Sequence, residues 1–146
     1  MAPFLAIVLS VWAVMHLYVF WRLSSVPWAI AHIPRQAWWI AAVALWASYP
    51  LARILEAKGL RAVASPLEFL AASWIGILFL LFAALLVTDA FTLGGRVLPP
   101  RLSPVLRGWA GGFALILSVL GLVQGLRPPV LRDYEVHLAG LPKERD

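Results

Sequence analysis

Four long apolar runs, divided by short connections that gather the prolines and most of the charge, decide what this chain can become. The runs cover roughly residues 3–21, 37–55, 66–88 and 106–126. Each suits a helix crossing the ~30 Å hydrocarbon layer of a bilayer. In lipid, only helices and closed barrels satisfy every backbone donor and acceptor, and unbroken apolar runs of this length match helices. The sequence predicts an all-α membrane protein: a four-helix transmembrane bundle over residues 1–127, followed by a short strand-like C-terminal tail over 128–146. Composition agrees. The chain is 62% hydrophobic and 13% charged, where soluble domains carry about 25% charged residues.

Local signals place the boundaries. Trp12, Tyr18 and Trp21 weight the first span, and Arg22 closes it at the interface. The N-terminus, Met1-Ala2-Pro3-Phe4, has no basic residue, and Trp21-Arg22 is no small-residue cleavage site, so this span is retained. Pro27 and Pro34 break the connection over 23–36, where Trp28 and Ile30 suit the headgroup layer. Trp38 and Trp39 open the second span like an aromatic belt, Pro50 should kink it, and Gly59 is its C-cap. For the third span, Ser65 reads as the N-cap with Pro66 at the first helical position, and Glu68 suits the positive end of the dipole. Gly94-Gly95 break it, a loop covers 94–106, and Pro128-Pro129 stop the fourth span. Gly108 and Gly112, Gly121 and Gly125, and Ala72 and Gly76 have the four-residue spacing that lets helices approach closely in lipid.

Four spans put both termini on one side, called side A. Arg53, Lys58, Arg61, Arg127 and Arg132 lie there, with Lys143 and Arg145 further out. Arg22, Arg35, Arg96, Arg101 and Arg107 lie on side B. The positive-inside count is a near draw. The uncharged N-terminus followed by Arg22, and Asp89 as the single acid of side B, favour side B in the cytoplasm and both termini outside. This scatter of Arg and Lys between apolar runs suits lipid headgroups as partners and argues against nucleic acid.

Ionisable groups in or beside a span need partners. His16 and Asp89 lie towards the same side, and a candidate intramembrane pair is His16 donating to Asp89. The plainer alternative, which the sequence favours, is a His16 bonded to nearby backbone or hydroxyl. On side A, Arg53, Glu56, Lys58, Arg61 and Glu68 form a candidate interfacial polar cluster. It reads first as an ordinary salt-bridge cluster and second as a docking or headgroup-binding surface. No catalytic, cofactor-binding or metal-ligating set is legible. His16, His32 and His137 are scattered, and there is neither a phosphate loop nor a nucleophile elbow. Without cysteine, no disulfide or thiolate site is possible.

The tail alternates: Tyr134, Val136 and Leu138 face one way, Glu135 and His137 the other, as in a half-buried strand. The segment Glu135-Val136-His137-Leu138-Ala139-Gly140-Leu141-Pro142-Lys143-Glu144-Arg145-Asp146 resembles the lead-in to the catalytic domain of bacterial membrane-anchored metallophosphoesterases of the calcineurin-like class. The stretches His16-Leu17-Tyr18, Tyr49-Pro50-Leu51-Ala52-Arg53 and Trp74-Ile75-Gly76 with Asp89 are similar to the N-terminal spans that some members carry. The tail is the strongest piece. The resemblance implies a bacterial cytoplasmic membrane protein that anchors its own downstream phosphoesterase domain. In that family a two-metal site of divalent ions hydrolyses the phosphoester substrate. The metal-binding residues are expected beyond Asp146, so none is assigned to a residue here. The rival expectation is a complete small integral membrane protein that binds a lipid or a partner subunit. A transporter fits less well, because no span carries a midplane polar pair or a broken half-helix.

Overall fold

The computed structural model describes residues 2–99 and 101–128, with side chains described from Ala6 onward. Its elements are α1 (Ala2–Leu23), α2 (Pro27–His32), α3 (Arg35–Ala57), α4 (Arg61–Phe91), a 3-10 turn (Leu93–Gly95) and α5 (Leu102–Gly125). Helices α1, α3, α4 and α5 are long and apolar enough to cross a membrane. No strand occurs among the described residues. The tail expected to form one lies outside them, apart from Pro128.

Three boundaries differ from the sequence reading. Helix α4 begins at Arg61, so Ser65 is not its cap and Pro66 lies inside it. The Leu60 carbonyl accepts from the amides of Val63 and Ala64, at 3.2 and 3.0 Å, and this starts the helix before the proline. Pro66 then removes a single backbone donor near the helix start, a loss that a long apolar helix absorbs. Helix α5 begins at Leu102, ahead of the expected Leu106. Pro104 falls in its first turn, where an amide would have no helical partner. The connection after α1 is not irregular throughout. Pro27 starts the short α2, with its ring pre-set for the first helical position.

The α3–α4 corner is set by Gly59, at φ +80°. Its amide reaches the Glu56 carbonyl at 2.9 Å, and the Leu60 amide reaches Leu55 at 3.0 Å. That bonding pattern is a Schellman ending, which needs a left-handed residue.

Helix α4 is the hub, packing against α1, α3 and α5, while α2 packs against α5. Val19, Leu78, Leu81, Leu85 and Ala114 form the apolar centre with Trp12. The distribution of polarity is inverted relative to a soluble protein. His16, Asp89, Thr92, Ser103, Arg107 and Ser118 are buried, whereas Ile40, Val43, Leu70, Phe79, Ile116 and many like them are exposed. An apolar exterior around paired polar groups is what lipid selects.

The glycines of α5 divide in use. A Cβ on Gly108 would lie 3.1 Å from Val26 Cγ1, and one on Gly111 would lie 3.0 Å from Leu23 Cδ2. These two positions admit the α1–α2 connection. Gly76, Gly112, Gly121 and Gly125 face open space. The close approach in α5 therefore uses Gly108 and Gly111 rather than the Gly108–Gly112 pair.

Candidate functional site

Three arrangements of polar residues are candidates. The first gathers at the side B end, where α1 and α4 finish and α5 begins. Asp89, in the last turn of α4, is 8% exposed, and Arg107, one turn into α5, is 6% exposed. Arg107 Nε donates to Asp89 Oδ1 at 3.0 Å. Its Nη2 donates to the Gly94 carbonyl at 3.1 Å, and its Nη1 reaches Ser25 Oγ at 3.5 Å. Tyr18 donates its hydroxyl to Asp89 Oδ2 at 2.6 Å. Arg22 Nε lies 2.6 Å from the same oxygen as a charge contact without hydrogen-bond alignment. The Arg22 guanidinium also covers the Trp21 ring, 4.3 Å from its centroid.

One carboxylate thus meets two guanidiniums, leaving one positive charge in excess. The carboxy ends of α1 and α4 supply the balance, because a helix C-terminus carries about half a negative charge. The Gly94 carbonyl extends that negative end to Arg107. Gly95 allows the approach. Its φ is +92°, and a Cβ there would sit 3.0 Å from Ser103 Oγ and 3.3 Å from Arg107 Nη2.

The second arrangement is aromatic. His16, 4% exposed, does not pair with Asp89. Its Nε2 accepts from Trp74 Nε1 at 2.8 Å, and its Nδ1 faces the Trp12 carbonyl at 3.3 Å. An indole nitrogen only donates, so Nε2 is unprotonated and the proton is on Nδ1. The ring stacks on Phe20 at 6.2 Å and meets Trp12 edge-on at 5.3 Å. The candidate His16–Asp89 pair, the less favoured of the two readings, does not form: Arg22, Arg107 and Tyr18 surround Asp89, while Trp74 and the Trp12 backbone bond His16. The backbone bond matches the plainer expectation, and the Trp74 donor was not anticipated.

The third arrangement is the side A cluster. Arg53 Nη1 reaches Glu56 Oε2 at 2.6 Å and Glu68 Oε1 at 3.4 Å, bridging α3 and α4. All three side chains are 40% or more exposed. Lys58 caps α3 and Arg61 opens α4. Neither forms an ion pair among the described residues, so the structure joins three of the five candidates. Exposed pairs like these contribute about 0–1 kcal/mol.

Arg22, Arg107 and Tyr18 are the Asp89 partners that sequence reading missed, because which side chains of side B reach the acid depends on how α1, α4 and α5 are rotated. The signal was present: Asp89 is the single acid of side B. A lone acid beside a membrane span requires a basic partner, and every basic residue of that side was a candidate.

Two grooves open beside these clusters. One, of about 640 Å³, runs between α5 and the α1–α2 connection and is lined by Val26, Trp28, Trp38, Val105, Gly108 and Gly112 among others. Another, of about 340 Å³, lies between α4 and α5 at Ser73, Gly76, Ser118 and Gly121. No group of three His, Asp or Glu side chains converges as a metal site among the described residues. Comparison with protein-family models, with curated proteins and with solved structures finds no match to this chain.

Proposed function

We propose that this chain is the membrane-anchoring domain of a metal-dependent phosphoesterase. The observation that supports anchoring is the fate of the buried ionisable groups. Asp89, Arg107 and His16 are each bonded to groups that hold helices together. His16 lines a hollow of about 220 Å³ beside Ala13, Trp39 and Trp46, but both of its ring nitrogens are bonded, to Trp74 and to the Trp12 carbonyl. A bundle built this way is a rigid tether.

The hydrolytic half of the reading rests on the resemblance of Glu135–Asp146. Two divalent ions would be held by a following domain, where they would activate a water and stabilise the phosphoryl transition state. Residues 129–146 follow α5 in the chain, and α5 ends on side A, the side that also carries the Arg53–Glu56–Glu68 cluster; in this reading that cluster is the surface the domain rests on. In this reading the protein occupies the bacterial cytoplasmic membrane with side A outside. Tethering favours a membrane-proximal phosphoester as substrate.

The test compares phosphodiesterase activity, with added manganese, of the 146-residue chain and of the product of its full native reading frame. Activity confined to a longer product supports the proposal. A native product that ends at Asp146 and is inert overturns it.

A further inference from the structure

The 640 Å³ groove beside α5 has walls that are almost entirely apolar. It opens where Trp28 and Trp109 are exposed. Tryptophans concentrate at the membrane–water interface, so this end of the groove lies at headgroup depth. The adjoining charge is of one sign. Arg35 starts α3 one turn before Trp38, and Arg101 precedes α5 one turn before Val105, and both are exposed. Trp38 and Val105 line the groove. The one acid of side B, Asp89, is consumed by Arg22 and Arg107. Neither arginine lines the groove itself; each stands one helical turn outward from a lining residue, and no acid of side B is left to compete for them. A second, more polar hollow of about 420 Å³ holds Arg35, Ser24, Trp21 and Trp39, and it shares Ala29 and Trp38 with the groove.

From this charge complementarity we propose that the groove binds an anionic phospholipid. One acyl chain lies along Gly108 and Gly112, and the phosphate headgroup rests between Arg35 and Arg101. Basic pockets between spans at a cytoplasmic face recognise anionic headgroups by the same physics. Gly112 gives the chain its space: a Cβ there meets nothing within 4 Å. The site does not depend on the hydrolytic reading and holds for the chain with or without a following domain.

The test reconstitutes the protein in phosphatidylcholine vesicles that contain a minor fraction of lipid with brominated acyl chains. Quenching of tryptophan fluorescence is then compared for brominated phosphatidylglycerol and brominated phosphatidylcholine at equal fractions. Excess quenching by phosphatidylglycerol is expected. The preference should fall about fivefold per arginine removed in Arg35→Gln and Arg101→Gln. Gly112→Leu should abolish it without lowering the thermal midpoint, since the added side chain enters open space and leucine favours a helix more than glycine does. Equal quenching by the two lipids overturns the proposal, and so does a preference unaffected by all three substitutions. A change of oligomeric state in Gly112→Leu with no change in lipid preference assigns the groove to a second copy of the chain, and also overturns it.

Discussion

Arg107 donates its Nε to Asp89 across the α4–α5 interface at 3.0 Å, with both side chains more than nine-tenths buried. Arg22 brings α1 to the same carboxylate. Three spanning helices thus converge on one acid, at the end of the bundle where the α1 and α4 dipoles are negative. Removing the acid leaves two guanidiniums facing each other. Removing one guanidinium leaves the acid still paired.

Asp89→Asn is therefore expected to cost more than Arg107→Met. Loss of one partner of a buried pair costs about 3–5 kcal/mol. The double variant should cost less than the sum of the two. Unfolding in mixed micelles gives all three values. Glu56→Gln, in the exposed side A cluster, serves as the contrast and should cost less than about 1 kcal/mol. Equal losses for Asp89→Asn and Glu56→Gln would remove the case for a buried charge lock.

Trp74→Phe deletes the donor to His16 Nε2 and leaves a buried acceptor unsatisfied. The expected loss is about 1–3 kcal/mol. Nitrogen NMR of labelled histidine should show the His16 proton on Nδ1 in the unsubstituted protein. A proton on Nε2 would contradict the Trp74 bond.

Glycine substitutions should separate by position rather than by spacing. Gly95→Ala places a side chain at positive φ against Ser103 and is expected to cost about 1–2 kcal/mol. Gly111→Ala presses on Leu23 and should destabilise as well. Gly112→Ala meets no neighbour and should stabilise by up to about 1 kcal/mol through helix propensity. Thermal unfolding of the three variants in one detergent checks the order.

Leu93 adopts φ +48° in the turn that presents the Gly94 carbonyl to Arg107. Leu93→Asn should stabilise modestly, by a few tenths of a kcal/mol to about 1 kcal/mol, because asparagine tolerates this conformation better. A loss of stability would show that the exposed leucine makes contacts that outweigh its backbone strain.

The four spans were legible because lipid imposes a requirement that composition alone expresses: long, uncharged, helical runs. The corner at Gly59 was legible for an equally local reason, since a glycine after the last apolar turn signals a left-handed cap. Ser65-Pro66 misled because the pair matches a helix start, yet the Leu60 carbonyl accepts from the Val63 and Ala64 amides and starts α4 at Arg61. The charge lock was only half legible. Asp89 stands out in the sequence as needing a partner, but the one pairing the sequence offers for it, with His16, is also the less favoured reading of His16, so its true partners stay unread. Which of several arginines on one side reaches an acid depends on how α1, α4 and α5 rotate, and no local pattern encodes that.

Four crossings underlie the bundle, and the absence of cysteine from the sequence makes them directly measurable. Single cysteines at Ser24 and Val97 mark side B, and single cysteines at Leu60 and Leu126 mark side A. Labelling with a membrane-impermeant thiol reagent, in intact cells and in inverted vesicles, assigns each position to a face. The bundle predicts that Ser24→Cys and Val97→Cys label from one face and Leu60→Cys and Leu126→Cys from the other; the proposed orientation adds that side A is the outer face. Labelling of Ser24→Cys and Leu60→Cys from the same face would contradict it, because α3 would then not cross.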